Sequence, residues 1–263
     1  MASDEISPHG RWHGKLTSRP LPDVDATIAA LEPAARACVS DVWLARAASE
    51  RRVADSFTVI RDALAASNAD AAIVDLAARA VDDEMRHTEI CRTVASRYAG
   101  RELAPPPLLT LTLPRHAGVS DALRRTLYVV GQCCINETIA SAFLEATLAK
   151  TSAPLAKVAL RELLTDEIDH ARIGWARVSS MDGTARRRLE PWLAPMAVAN
   201  LRMWRDAARI YPDDLAAHGA PPAEVVEDAL LIAFRDLVIP GFATVGLDVT
   251  ALTSWLVAGA PTA

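Results

Sequence analysis

The sequence predicts an all-α protein, and its composition, its helical periodicity and the placement of its helix breakers support this class. Apolar residues make up 51% of the 263-residue chain, whereas there are only 11 Gly, 4 Phe and 3 Tyr. Ala, Leu and Arg dominate, and all three are strong helix formers. A chain of this length can bury a sizeable core within one large domain.

Composition and charge argue against several classes of protein. The formal net charge of −5 offers no basic footprint for nucleic acid. No uninterrupted apolar run reaches the roughly 18 residues of a membrane span, and the polar N-terminus does not resemble a signal peptide. The cysteines show no CxxC spacing, which argues against a zinc site or a rubredoxin-type iron site. They fit a reducing cytoplasm as small buried side chains: Cys38, Cys91, Cys133 and Cys134.

The N-terminal half predicts an irregular arm and two long helices. Residues 1–24 are punctuated by Pro and Gly. A first helix should begin within residues 25–33 and end near Ser67, and a turn with an N-cap at Asp70 should start a second helix that ends near Tyr98. The stripes predicted to face the core are Val39, Trp43, Ala47, Glu50, Ala54, Phe57, Ile60 and Leu64 on the first helix, and Ile73, Ala77, Ala80, Glu84, His87, Cys91, Val94 and Tyr98 on the second.

A proline-rich connection predicts a crossover between the second and third helices. It contains Pro105, Pro106, Pro107 and Pro114, so it cannot be helical, and it is long enough to cross the length of a bundle. Ser120-Asp121 should open the third helix, and Ser152 and Pro154 the fourth. Their predicted inward stripes are Leu123, Leu127, Val130, Cys134, Glu137, Ser141, Leu144 and Leu148, and then Ala156, Leu160, Leu163, Glu167, His170 and Gly174.

The C-terminal third predicts additional helices near residues 186–210, 222–238 and 248–257, the last two headed by Pro221-Pro222 and by Asp248. We therefore expect a helical bundle over residues 25–183 and further helices packed on it over residues 184–263.

Two Asp-Glu-x-x-His segments, 83–87 and 166–170, lie 83 positions apart on predicted helices. On a helix, residues three apart share a face, so each segment directs a carboxylate and an imidazole to one point. Chance predicts only roughly 0.3 Glu-x-x-His pairs in a chain of this composition, and surface pairs are the alternative explanation. Carboxylate and imidazole without thiolate suit iron or manganese. The duplicated motif therefore predicts four metal ligands: Glu84, His87, Glu167 and His170.

Two more glutamates lie in the middle of otherwise apolar stripes. Glu50 could instead form an ion pair with Arg46 on an exposed helix face, but its aromatic and small apolar neighbours favour a buried position. Glu137 is the only carboxylate on its stripe. A buried carboxylate is costly unless it is paired, protonated or bound to metal. We therefore expect both to join the other four ligands, so that two similar helical hairpins each supply three.

This ligand set and the long crossover resemble the ferritin-like di-iron carboxylate superfamily. The resemblance covers roughly residues 35–180. It implies a four-helix bundle with a long crossover between helices 2 and 3, and a site that holds two iron ions or one manganese and one iron. It also implies that Asp166 orients His87 and that Asp83 orients His170, each by accepting the ring N–H opposite the metal.

The same resemblance implies two candidate catalytic residues. Cys91 stands where many ribonucleotide reductase small subunits have a radical-forming tyrosine, which excludes such a radical at this position; bacterial multicomponent monooxygenases have a cysteine there. Ser141, four residues after Glu137, matches a hydroxyl residue that assists proton delivery to dioxygen in those monooxygenases. For both residues, packing in the core is the simpler alternative.

Three departures limit the resemblance. Arylamine N-oxygenases of the superfamily have a third histidine where this chain has Leu163. Asp169 replaces a basic residue that many relatives have in the second motif. The chain is also much shorter than a multicomponent hydroxylase subunit, and no electron-transfer module is evident.

The leading hypothesis is a cytoplasmic non-haem di-iron oxygenase or oxidase that activates dioxygen to oxidise a small organic substrate. Under this hypothesis we expect the protein to need an external electron donor, to have no nucleic-acid or membrane partner, and to be able to form a homodimer. The main alternative is a ferritin-like iron-handling protein with ferroxidase activity and no organic substrate. A third hypothesis is a helical interaction module in which the Glu/His pairs are coincidental.

Overall fold

A computed structural model describes residues 19–207 and 211–257, and every regular element in those two ranges is helical, which confirms the all-α prediction for this part of the chain. Residues 1–18 of the predicted arm lie outside the described residues. The α-helices are α1 (Ala26–Ala29), α2 (Pro33–Ala66), α3 (Ala71–Ala99), α4 (Asp121–Val129), α5 (Glu137–Lys150), α6 (Pro154–Ser180), α7 (Gly183–Arg187), α8 (Glu190–Ala207), α9 (Ala223–Ile232), α10 (Ile239–Thr244) and α11 (Thr250–Val257).

Helices α2 and α3 form an antiparallel hairpin along nearly their whole length. The turn between them contains Asn68 at a φ of 48°, and the carboxylate of Asp70 accepts a hydrogen bond from the Ala72 N–H at 2.8 Å. Near the other end, the Ser40 hydroxyl donates to the Ala95 carbonyl at 2.9 Å. The predicted turn and N-cap are confirmed.

Helices α4 and α5 are parts of one rod that is interrupted by a π-helical segment, Val130–Asn136. The sequence predicted an uninterrupted α-helix here, so this feature was missed. By length and composition alone the rod is apolar enough to cross a membrane, but 67% of its most apolar window is buried among the other helices, as a core helix requires.

Helix α6 packs against α3 on one side and against the π segment and α5 on the other. Pro154 stands in its first turn, as predicted, where its missing N–H costs no helical hydrogen bond. The connection from α3 to α4 is non-helical and extended over most of its length, as its prolines predicted. Four long helical segments therefore surround a common interior.

The C-terminal helices cover the rod. Helix α8 packs against the π segment, and α9 packs against α5. The helix predicted near 186–210 is divided into α7 and α8, and residues 208–210 lie outside the described part. Beyond α9 the chain continues through a second π segment, Ala233–Val238, into α10. This continuous helical stretch ends at Thr244, six residues later than predicted.

Helix α6 approaches the π segment most closely at Gly174. A Cβ atom placed on Gly174 would lie 2.6 Å from Cys134 Sγ and 2.7 Å from the Cys134 backbone nitrogen. Because backbone cannot move away as a flexible side chain can, this contact requires glycine.

We expect Gly174→Ala to destabilise the protein by about 1–3 kcal/mol, because the helices must separate to admit the methyl group. The measurement is the free energy of unfolding in denaturant. Gly131→Ala is a matched control, because a Cβ there would meet Met196 Sδ at an ordinary 3.6 Å. The control should be neutral or stabilising by up to about 1 kcal/mol. Equal stability of the two variants would contradict the close approach.

Candidate metal centre

The four long helical segments bring together the six side chains that the sequence predicted as ligands. Helices α2 and α5 each supply a glutamate, and α3 and α6 each supply a glutamate and a histidine. Five of the six are buried, and Glu50 is half-buried. Their ligand atoms form two overlapping groups, and within each group all atoms lie within 4.8 Å of one another: Glu50, Glu84, His87 and Glu167, and then Glu84, Glu137, Glu167 and His170.

The two groups share Glu84 and Glu167, and each of these carboxylates divides its oxygens between the two histidines. Glu84 Oε2 lies 3.5 Å from His87 Nδ1, and Glu84 Oε1 lies 3.0 Å from His170 Nδ1. Glu167 Oε1 and Oε2 lie 3.6 and 3.1 Å from the same two nitrogens. A shared pair of carboxylates between two imidazoles is a geometry in which two adjacent cations can be bridged.

Each imidazole presents Nδ1 to the cluster and Nε2 to an aspartate behind it. His87 Nε2 lies 3.0 Å from Asp166 Oδ2, and His170 Nε2 lies 3.6 Å from Asp83 Oδ2. This is the crossed pairing that the resemblance implies. The contact of Asp166 with His87 is a hydrogen bond, which fixes the ring and places a proton on Nε2, so that Nδ1 is available as a ligand. The contact of Asp83 with His170 is too long for a hydrogen bond.

Arg86 connects the two outer aspartates. Its guanidinium donates a hydrogen bond to Asp83 at 3.2 Å and forms a close ion pair with Asp166. Sequence reasoning assigned no role to Arg86, although it lies inside the first Asp-Glu-x-x-His motif. The imidazoles and Arg86 together outweigh burial and lower the pKa of both aspartates, His170 acting on Asp83 and His87 on Asp166.

Burial and mutual repulsion disfavour ionisation of the two outer glutamates. Burial raises the pKa of Glu50 well above its usual value, and the charges of Glu84 and Glu167 raise it further. The pKa of Glu137 is raised by burial and by Glu167 and Glu84 in the same way. A nearby positive charge is what would allow all four carboxylates to ionise together.

The same negative charges favour the protonated, charged form of the histidines, so their pKa values are raised as well. Although burial lowers the pKa of His87, a hydrogen bond with Asp166 and the nearby charge of Glu84 raise it to about 10. The pKa of His170 is also raised, because Glu167 and Asp83 outweigh burial. Protons thus occupy positions where the local potential favours cations, and metal binding would release them.

Several buried polar atoms of the cluster lack a hydrogen-bond partner among the described residues. They include both carboxylate oxygens of Glu84 and Nδ1 of His87. Buried polar atoms are almost always hydrogen-bonded, so orphaned ligand atoms grouped at one point need another partner. The donor set, which contains oxygen and imidazole nitrogen and no thiolate, fits a pair of divalent cations.

Glu137 is held by amides on the π segment. Gln132 Nε2 donates to Glu137 Oε1 at 2.6 Å, and Asn136 Nδ2 lies 3.5 Å from the same oxygen. The indole N–H of Trp204 on α8 donates to Asn136 Oδ1 at 2.9 Å. A chain of hydrogen bonds therefore runs from the C-terminal helices to a predicted ligand.

Sequence reasoning missed these amides for a geometric reason. Residues 132 and 137 are five positions apart, which on an α-helix places them about 140° apart around the axis. The wider turn of a π-helix, with its i→i+5 hydrogen bonds, brings such residues to a common side. Periodicity alone could not have detected this.

A cavity of about 1040 Å³ opens on the cluster between the bundle and α8. All four glutamates line it, whereas neither histidine is among the described residues of its wall. Exogenous molecules would therefore reach the cluster from the carboxylate side. Residues 109–112 of the extended connection form part of the wall, and the apolar surface includes Leu127, Phe143, Leu144, Met196, Trp192 and Trp204.

The two candidate catalytic residues lie close to the cluster but away from the cavity wall. The Ser141 hydroxyl donates to the Glu137 backbone carbonyl at 2.9 Å. Cys91 is fully buried, and burial together with the charge of Glu50 raises the pKa of its thiol. Neither contact tests a role in catalysis, so both assignments stay predictions.

Comparison of the chain with protein-family models and with curated proteins gives no match in either case.

The crowding of carboxylates predicts that the cluster destabilises the protein when no metal is bound. We expect Glu137→Gln to raise the free energy of unfolding in excess chelator by about 1 kcal/mol or more near neutral pH, because one raised pKa unit corresponds to about 1.4 kcal/mol. The amide retains an oxygen that can accept from Gln132. The gain should shrink near pH 4, at about the unfolded pKa, because the glutamates of the unfolded chain are then largely protonated.

Glu145→Gln on the exposed face of the same helix is the control, and it should change stability by less than about 0.5 kcal/mol. If Glu137→Gln lowers the stability of the chelated protein as much as a cavity-forming change would, the cluster is a satisfied structural network.

Proposed function

We propose that the protein is a non-haem di-iron oxygenase or oxidase that activates dioxygen and oxidises a small organic substrate. The observation that carries the proposal is the pair of overlapping ligand groups that share Glu84 and Glu167. Their oxygen and nitrogen donors suit iron, and the same donors would accept manganese in one position. When bound, the metal pair would supply the electrons and the Lewis acidity that dioxygen reduction needs.

The residues have distinct roles in this proposal. Glu84 and Glu167 would help to hold both metals, since they belong to both ligand groups and each divides its oxygens between the two imidazoles. His87 and His170 would each hold one metal through Nδ1. Behind them, Asp166 would hold the Nε2 proton of His87 through its hydrogen bond, and Asp83 would stand behind His170, so that both imidazoles would act as neutral donors.

The outer glutamates would complete the two sites and face the substrate. Glu50 and Glu137 line the cavity, and Gln132 fixes one oxygen of Glu137. The apolar wall would hold an organic molecule beside the cluster and exclude water from it. An external electron donor would be needed for repeated turnover.

The resemblance to the ferritin-like superfamily supports the same proposal. In that superfamily two helices each supply a glutamate and two others each supply a Glu-x-x-His motif, and a long crossover joins the second and third helices. An iron-handling protein without an organic substrate is the main competitor. The cavity of about 1040 Å³ favours the enzyme, because a substrate-free site has no need of it.

Metal analysis of protein purified without oxygen tests the proposal. We expect about two iron ions, or one manganese and one iron, per chain, and a change in the optical spectrum on exposure to oxygen. Glu167→Ala and His170→Ala should lose the metal and the spectral change while retaining helical circular dichroism, because they remove ligands from a buried centre.

Glu145→Ala, on an exposed surface, should keep wild-type metal content. Unchanged metal content in the ligand variants would refute the assignment. Size-exclusion chromatography after iron loading separates the competitor: a small oligomer with about two metals per chain agrees with an oxygenase, and a cage that retains hundreds of irons does not.

The outer aspartates provide an independent test. Asp166→Asn should weaken metal affinity roughly 10–100-fold, because it removes the charge that orients His87. Asp169→Asn is a matched control three residues away, since Asp169 pairs with Arg172 at the surface. Competition with a chromophoric chelator measures both affinities. Equal affinities for the two variants would show that Asp166 does not act through the histidine.

A further inference from the structure

Arg46 is a cation in the cavity wall, and it forms no ion pair with a carboxylate of the described residues. Its Nη2 donates to the Gly219 carbonyl at 3.3 Å, and its guanidinium carbon lies 4.5 Å from the centre of the Trp43 ring. Its Nη1 is buried and has no hydrogen-bond partner within residues 19–207 and 211–257. Glu50 lies one helical turn further along α2, but the two side chains form no ion pair in this part of the chain.

The surroundings of Arg46 hold it in place without neutralising it. Gly219 has a φ of +86°, and a Cβ there would lie 2.9 Å from Trp43 Cζ2, so glycine allows this loop to pack directly on the indole. The Trp43 indole N–H donates to the His218 carbonyl at 3.0 Å. The guanidinium therefore lies between an aromatic face and a carbonyl, which orient a cation but supply no counter-charge.

Metal binding at the cluster would leave this charge uncompensated. In the proposed centre, four ionised glutamates balance two divalent cations. The two aspartates, one of whose charges Arg86 balances, lie behind the imidazoles and are not among the described residues that line the cavity. Arg46 then keeps a full positive charge in a mostly apolar cavity, which is costly without an anion. The wall also contains a second cation, Arg52 on the same helix, and one carboxylate outside the cluster, Asp206 on α8, which forms no ion pair with Arg46 among the described residues.

We propose that the substrate is an organic acid with an apolar body, and that its carboxylate binds to Arg46. This proposal rests on the proposed function, because it names the substrate class of the same site. The apolar walls provided by Leu127, Phe143, Met196 and Trp204 would receive the body of the molecule. The planar guanidinium can donate two parallel hydrogen bonds to a carboxylate.

The position of Arg46 also restricts where the substrate would be oxidised. Four residues along α2 correspond to a rise of about 6 Å, so the carboxylate would be held roughly one turn from Glu50. Carbon atoms a few bonds away from the carboxylate would then lie beside the cluster. Arg46 is thus a specificity-determining residue that binds the non-reacting end of the substrate.

Binding of octanoate and 4-phenylbutyrate to the metal-loaded protein without oxygen, compared with their primary amides, tests the proposal. Fluorescence of the cavity tryptophans, or equilibrium dialysis, can follow binding. We expect each acid to bind at least about tenfold more tightly than its amide. Arg46→Gln should remove this preference and leave the amide affinity within about twofold, because only the charge-assisted hydrogen bonds are lost.

Arg51→Gln is the matched control, because Arg51 lies on the same helix, pairs with Asp55 and does not line the cavity. It should bind acids and amides as the wild type does. Arg46→Lys keeps the charge without the planar fork, so it should show an intermediate preference, and it serves if the glutamine variant does not fold.

Acids that bind no better than amides, no saturable binding of either probe, or an acid preference that survives Arg46→Gln would each overturn the proposal. The last result would place the carboxylate on the metals themselves. These outcomes are separate from those of the metal analysis, because a protein with two metals and oxygen reactivity could still bind neutral substrates.

Discussion

The constraint on which this structure depends is the burial of four carboxylates and two imidazoles at one point between four helices. Like charges at these distances repel strongly in an apolar interior, and burial alone already disfavours their ionisation. Repulsion and burial therefore raise the pKa values of Glu50 and Glu137, and the carboxylates raise those of both histidines, so that protons are held at the cluster. A pair of cations would resolve it, because each carboxylate could ionise beside a positive charge.

The cluster has two unlike sides. On one side the imidazoles are fixed by Asp83, Asp166 and Arg86, which form a closed polar network. On the other side the glutamates face the cavity. Among the described residues, the cavity therefore reaches the cluster through its carboxylates and not through its imidazoles.

The sequence predicted the helices and the convergence of the six side chains because both follow from helical periodicity. A duplicated Glu-x-x-His motif on amphipathic helices leaves few other places for its side chains, and the cap at Asp70 and the breakers near Pro105 and Pro154 determine where helices begin and end. The six residues meet in the structure for that reason.

The features that periodicity does not encode were missed. The π segment brings Gln132 to Glu137 only because the rod departs from 3.6 residues per turn. The cavity arises from the packing of α8 against the rod, so it depends on contacts between residues distant in sequence. Arg46 illustrates the same limit, because on sequence alone an exposed pair with Glu50 was a reasonable alternative, and only the Gly219 loop and Trp43 reveal a different environment.

The cavity is connected to the cluster from both of its walls. On α2, Arg46 lies one turn from Glu50, and on α8, Trp204 donates to Asn136, which lies beside Glu137. A molecule that fills the cavity must contact both walls, because Arg46 and Trp204 both line it. Trp204 is linked to Glu137 through Asn136, whereas Arg46 lies near Glu50 without pairing with it. The C-terminal helices, which enclose the cavity and supply Trp204, are therefore part of the site as well as its cover.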